Sequence, residues 1–296
     1  MRTGKWLIPL LAILLVLSAC GNTNGGAESN ANVTNNNPAG GNTGVTGADA
    51  AEPAESLTTL KVASLIPPMT DMLELIKPQL EEDGVELEVL VLSDNVQPND
   101  ALANNEVDAN FFQHVPYMEQ YNDSKNTELV AIQPVYHAVY GAYSKRYQSM
   151  EDIPDGATVA IASDPSNLAR SLIMLDRAGI IKLKDNNNLQ ATQADIVENN
   201  KNFKFEEVDL LMLARMLDDA DLVLMTPAYA SPVGLTPKKD ALLTETTESA
   251  FAITLVARED NKDSEPIQKL AKALSSPEIK QFLEDNYGEI ALPAFE

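Results

Sequence analysis

Two short stretches carry side chains able to grip a small molecule. The first is ANFFQHVPYMEQYN, Ala109 to Asn122, which puts Phe111, Phe112, Gln113, His114 and Tyr117 in one short loop. Taken alone, such a cluster is more often core than pocket. It also suits one wall of a site for something small, partly apolar and partly polar. The second is Ser163-Asp164-Pro165-Ser166-Asn167, with Arg170 one turn further on. Here a strand leads into a helix. The free N–H groups and positive dipole end of a helix start favour a carboxylate, and Arg170 can add a bidentate clamp. The competing reading, a surface Arg170 paired with Asp164, stands equally on this stretch. Joined, the two stretches suggest a divided site, with an aromatic wall on one lobe and a carboxylate clamp on the other.

Signatures of catalysis are sparse. There is no G-x-G-x-x-G, no P-loop and no G-x-S-x-G. The two histidines, His114 and His137, have no metal spacing. Asp185-Asn186-Asn187 begins like a calcium loop, but Leu189 falls where a ligand oxygen belongs, so it reads as a polar turn. Carboxylates abound, yet no pair stands out as a hydrolase couple. No metal and no cofactor are expected, and an enzyme is not.

The elements that must position these residues alternate as in an α/β fold. Leu60–Leu65 and Val85–Leu92 read as strands around an amphipathic helix that follows Thr70, with Pro78 expected to kink it or lengthen its first turn. Pro98–Asn104 reads as a short helix and Val107–Phe112 as a strand. The rhythm restarts with a strand at Ala157–Ala162, a helix opened by Ser166, a helix at Leu210–Leu217 and a strand at Ala220–Met225. Ser264 and Ser276 cap two closing helices, each with Pro in its first turn. Long extended runs near 129–144 and 245–257 suit crossing strands between two lobes. The expected bounds are 57–145 plus 243–296 for lobe one and 146–242 for lobe two. Ligands of such folds sit in the crevice at the carboxyl ends of the strands.

The start of the chain reads as targeting, not fold. Arg2 and Lys5 precede an apolar run of twelve residues, Trp6 to Leu17, too short to span a bilayer and suited to a signal peptide over 1–19. It ends in Leu17-Ser18-Ala19-Cys20-Gly21, which resembles a lipobox with Cys20 as the lipidated thiol. Fifteen of the thirty residues from 21 to 50 are Asn or Gly. Such a segment cannot offset its ordering entropy by burial. We read 20–56 as the lipidated Cys20 and a disordered tether spanning about 33 Å root-mean-square. Cys20 is the sole cysteine, so no intrachain disulfide forms. The formal charge of −23 argues against nucleic acid and anionic lipid surfaces as ligands.

Asp108 to Tyr117, DANFFQHVPY, is similar to the most characteristic motif of the methionine-binding (MetQ/NlpA) lipoproteins of ABC importers. Further segments resemble the family: Val96-Gln97-Pro98-Asn99, Tyr143-Ser144-Lys145, Pro154 to Ile161, Asp164 to Asn167 with Arg170, Ala178-Gly179 through Leu183-Lys184, and Leu292 to Phe295. The likeness covers essentially all of 58–296 and includes the lipobox. It implies a two-lobed, type II-like periplasmic-binding-protein fold, each lobe a sheet flanked by helices. It further implies a monomer that delivers an amino acid to an ABC permease with ATPase subunits, held outside the cytoplasm on the cell membrane by a lipid anchor. By the resemblance, Phe112, His114 and Tyr117 line the side-chain pocket, and Asn167 and Arg170 hold the ligand carboxylate.

Departures fall at the same site. Met69 follows Pro67-Pro68 where the family has a His, and Asn95 replaces an aromatic. Tyr136-His137-Ala138-Val139-Tyr140-Gly141 stands for an H-V-E-P-M-G-like stretch, which brings Tyr140 into the candidate set. The Asn-rich turn reads Thr226-Pro227-Ala228-Tyr229, and Ala228 cannot bond the ligand's amino or carboxylate group. Thr226, Tyr229 or water then substitutes, or the ligand differs. The alternatives are therefore a diverged binding protein for another small solute and, further off, a surface hydrolase.

Overall fold

The computed structural model describes residues 57–246 and 250–296; the signal, lipidation and tether readings on 1–56 lie outside them. In chain order the strands are β1 (Thr58–Ser64), β2 (Val85–Val91), β3 (Ala109–His114), β4 (Leu129–Ala138), β5 (Gly141–Tyr143), β6 (Thr158–Ala162), β7 (Lys182–Leu183), β8 (Ile196–Glu198), β9 (Lys204–Val208), β10 (Leu222–Met225), β11 (Ala241–Thr244), β12 (Ala252–Arg258) and β13 (Ala291–Pro293). The helices are α1 (Met69–Glu82), α2 (Gln97–Ala103), α3 (Val115–Lys125), α4 (Pro165–Arg177), α5 (Leu213–Met216), α6 (Pro227–Ala230), α7 (Pro237–Asp240), α8 (Glu265–Leu274) and α9 (Pro277–Tyr287).

Two mixed sheets result, one per lobe. The first runs β13-β4-β12-β3-β1-β2 and the second β11-β5-β10-β6-β9. β1 lies parallel to both β2 and β3, the outcome of strand–helix–strand crossovers, while β12 pairs antiparallel with β3 and β4. In the second sheet β6 is parallel to β9 and β10, and β5 is antiparallel to β10 and β11. Burial follows helical spacing where the sequence predicts it: Met72, Leu73, Ile76 and Leu80 of α1 and Ile267, Leu270 and Leu274 of α8 are fully buried.

Several local expectations change. α1 continues through Pro78, which deletes one ladder bond without ending the helix. Helix α4 starts one residue before Ser166, because the Asp164 side chain accepts the Asn167 N–H at 3.0 Å and so serves as the cap. Ser276 caps α9 through the Ile279 N–H at 3.3 Å, whereas the Ser264 side chain makes no cap bond. Phe112 to Tyr117 is not a loop: it is the end of β3 and the first turn of α3.

The extended runs do cross between the sheets. β4 belongs to the first sheet and β5 to the second, with only Val139 and Tyr140 between them. The return passes from β11 to β12. Hydrogen bonding thus puts Gly141–Tyr143 and Leu243–Thr244 in the second sheet, although 57–145 plus 243–296 assigns them to lobe one. The period-two pattern cannot reveal such a switch, because β4, β5 and β12 are all extended and largely apolar. The crossings are tied together by Glu245, whose N–H donates to the Tyr140 carbonyl at 2.9 Å.

Candidate functional site

The carboxyl ends of β1, β3, β6 and β10 face one another across the two lobes, where crevices of open α/β sheets form. A cavity of about 70 Å³ lies there. Met69, Asn95, Phe112, His114, Tyr117, Asn167, Arg170, Thr226 and Tyr229 all line it. Tyr140 does not. It is fully buried in the second lobe, with its hydroxyl bonded to Ser171 at 2.9 Å and the Leu224 carbonyl at 3.1 Å. Its place in the site is indirect, since its ring lies 4.6 Å from the Arg170 guanidinium carbon.

The aromatic wall depends on β3, which is buried along its whole length. Phe111 turns to the core and meets Tyr136 edge-on, while Phe112 turns to the cavity and meets Tyr117 edge-on at 6.0 Å. Beneath them, Asn99, Asn110 and Gln113 satisfy each other in a buried amide network that fixes the strand end.

His114 caps α3. Its Nδ1 accepts the Tyr117 N–H at 3.2 Å, so in the neutral ring Nε2 carries the proton. That Nε2–H then donates to Asn167 Oδ1 at 3.1 Å, joining the two lobes. Burial and, after it, the Arg170 charge push His114 down to about 3. An unfolded chain takes up this proton near 6.5, so the fold is favoured fully above that pH and weakened as pH falls toward 3. The loss is about 1.4 kcal/mol per pH unit. We expect urea midpoints to drop more steeply between pH 6.5 and 5 in the wild type than in His114→Gln; parallel pH profiles contradict this.

Asn95 and Tyr229 add a second link between lobes, Asn95 Nδ2 donating to the Tyr229 hydroxyl at 3.1 Å. Gln120 Oε1 accepts the Ser166 N–H at 3.3 Å in a third. The Tyr117 hydroxyl donates to the Asn95 carbonyl at 3.0 Å. Burial chiefly pushes Tyr229 up to about 12, and Tyr117 also upward, so both phenols stay protonated.

Arg170 is 1% exposed, so it is no surface residue, and Asp164 is not its ion partner. Its partner is Glu245, which sequence reasoning missed: the residue lies 75 positions away, beyond any local pattern. Nε donates to the Glu245 carboxylate at 3.0 Å, and Nη2 donates to it and to the Ala138 carbonyl at 2.9 Å. The bidentate edge expected for a ligand is thus taken by Glu245. Phe251 lies 4.9 Å from the guanidinium carbon, in addition to Tyr140. Nη1 is buried with no partner among the described residues. An orphaned buried donor of this kind costs about 1–3 kcal/mol until an acceptor arrives.

Leu65, Ile66, Gln113, Tyr136, Ala138, Leu210, Ala228 and Ile253 complete the lining. Gln113 and Ala228 were marked by the sequence; for the apolar remainder, sequence gives no sign of which core-type residue borders a gap. Among the described residues no His/Cys/Asp/Glu group suits a metal. No described helix is long and apolar enough to cross a membrane.

Two sheets joined by crossing strands, with an aromatic wall and a buried guanidinium meeting between them, define a two-lobed solute-binding protein. Residues 60–295 match the family model described as NlpA lipoprotein, and the chain belongs to that family. The D-methionine-binding lipoprotein MetQ of Salmonella typhi is 41% identical over 201 residues, 67% of this chain and 74% of that one. An ABC transporter periplasmic substrate-binding protein from Coxiella burnetii is 37% identical with a TM-score of 0.76, covering 79% of this chain and 100% of that one. A nutrient binding protein from Burkholderia cenocepacia, solved bound to methionine, is 34% identical with a TM-score of 0.76, covering 80% of this chain and 100% of its own. The family comprises substrate-binding proteins of ABC transporters, not enzymes.

Proposed function

We propose that this chain captures a small amphipathic amino acid, methionine or a relative, in the interlobe cavity and delivers it to an ABC permease with ATPase subunits. The observation that carries this reading is Arg170, which lines the cavity with Phe112 and Tyr117 and whose buried Nη1 has no partner among the described residues. A carboxylate suits the donor and a thioether chain suits the rings. Lobe closure supplies the mechanism. His114–Asn167 and Asn95–Tyr229 form only when the lobes meet, and a ligand touching both walls favours that state by differential binding.

The test is native mass spectrometry of freshly purified protein, followed by calorimetry with L- and D-methionine, short methionine peptides and other amino acids. We expect a bound amino acid of submicromolar order, as importer capture requires. No heat with any of them, and no carried ligand, removes the amino-acid reading. Ala228 on the cavity wall supports a second reading, a diverged member for another small solute, which the mass of the carried ligand would identify.

We further propose a monomer in which 1–19 is removed and Cys20 carries the lipid that holds 20–56 and the two lobes outside the cytoplasm. Cys20→Ser is expected to release the protein from the membrane fraction and to abolish palmitate labelling. Unchanged partitioning and labelling would refute the anchor.

A further inference from the structure

Glu245 occupies an unusual place. It lies on the return crossing just after β11, its backbone N–H is fixed to the Tyr140 carbonyl on the outward crossing, and its side chain is 9% exposed. Its carboxylate takes the Nε and Nη2 edge of Arg170, a cavity-lining residue, and leaves Nη1 without a partner among the described residues. Among the described lining residues Arg170 is the only one that bears a formal charge, and Glu245 cancels it. His114, the other titratable cation on the wall, is neutral at ordinary pH. On the second lobe's side, Asp164 accepts from Asn167 Nδ2 at 3.1 Å, and Asp164 and Asp209 both add negative potential at Tyr117 and Tyr229.

We propose that Glu245 is a positioning residue that sets the charge class of the solute. By cancelling Arg170 it makes the cavity favour a zwitterion over a monoanion of the same shape. The proposal rests on the carboxylate-binding reading above. Binding a zwitterion leaves the apolar enclosure with no net charge. A monoanion leaves it with one uncompensated negative charge beside the Glu245 carboxylate, where low dielectric strengthens the repulsion. An arginine lacking this partner would present a bare positive charge and reverse the preference.

The test compares L-methionine with 4-(methylthio)butanoate, which keeps the side chain and carboxylate but lacks the ammonium. Dissociation constants are measured by calorimetry for the wild type, Glu245→Gln and Glu245→Asp. The wild type is expected to favour methionine. In Glu245→Gln the ratio of the two constants should move toward the monoanion by about tenfold or more, while Glu245→Asp keeps the wild-type preference. A merely structural role would weaken both solutes together, so an unchanged ratio in folded Glu245→Gln overturns the proposal. If that variant does not fold, the wild-type ratio decides, because equal or tighter binding of the monoanion also overturns it. If the wild type binds neither solute, the amino-acid reading fails first and this proposal falls with it.

Discussion

Arg170→Ala weakens solute binding roughly a thousandfold and also destabilises the fold, which separates two roles of one side chain. The binding loss is that expected for deleting a buried charged partner, about 4 kcal/mol. The stability loss has another source. Glu245, at 9% side-chain exposure, is left with an unpaired charge, a change that costs about 3–5 kcal/mol in comparable buried pairs. Arg170→Ala combined with Glu245→Ala should therefore regain much of the stability and none of the binding, as urea unfolding and calorimetry would record. Arg170→Lys retains the charge but not the fork that serves Glu245 and the Ala138 carbonyl together, so it should bind weakly as well. Near-normal affinity in Arg170→Ala would exclude a carboxylate held by this guanidinium.

The second large effect lies at Gly141. A Cβ built there meets the Tyr143 hydroxyl at 2.7 Å and ring carbons at 2.8 and 2.9 Å. Tyr143 is 1% exposed and packed in the second lobe, and Gly141 is fixed by pairing with Met225 on one side and Thr244 on the other. Neither ring nor backbone can yield cheaply, so Gly141→Ala should cost about 2–3 kcal/mol as overpacking does. Tyr143→Leu in the same chain should recover much of that loss. If Gly141→Ala unfolds at the wild-type urea concentration, the crowding at this crossing is not as described.

Most elements were legible because their patterns are local. The α1 and α8 spacings and the start of α9 need only neighbours within a few turns, and they match. The site was legible in its two separate halves for the same reason. Phe112, His114 and Tyr117 are close in sequence, as are Asn167 and Arg170, and each half reaches the cavity. What joins the halves was not legible. The Arg170–Glu245 pair, the Asn95–Tyr229 link and the switch of Gly141–Tyr143 to the second sheet depend on tertiary pairing between distant residues. Tyr140 illustrates the limit. Position pointed to it, yet its side chain serves the site through Arg170 and not through the cavity wall.

Strand β12 lies between β4 and β3 in the first sheet, although it is made more than a hundred residues after both. Until it arrives, the β3 and β4 ladders have no partner to join them, and the early half of the polypeptide cannot finish its sheet. The second lobe, by contrast, is one continuous stretch and can complete itself first. The lobe whose first strand is made earliest is therefore the one whose sheet can close last.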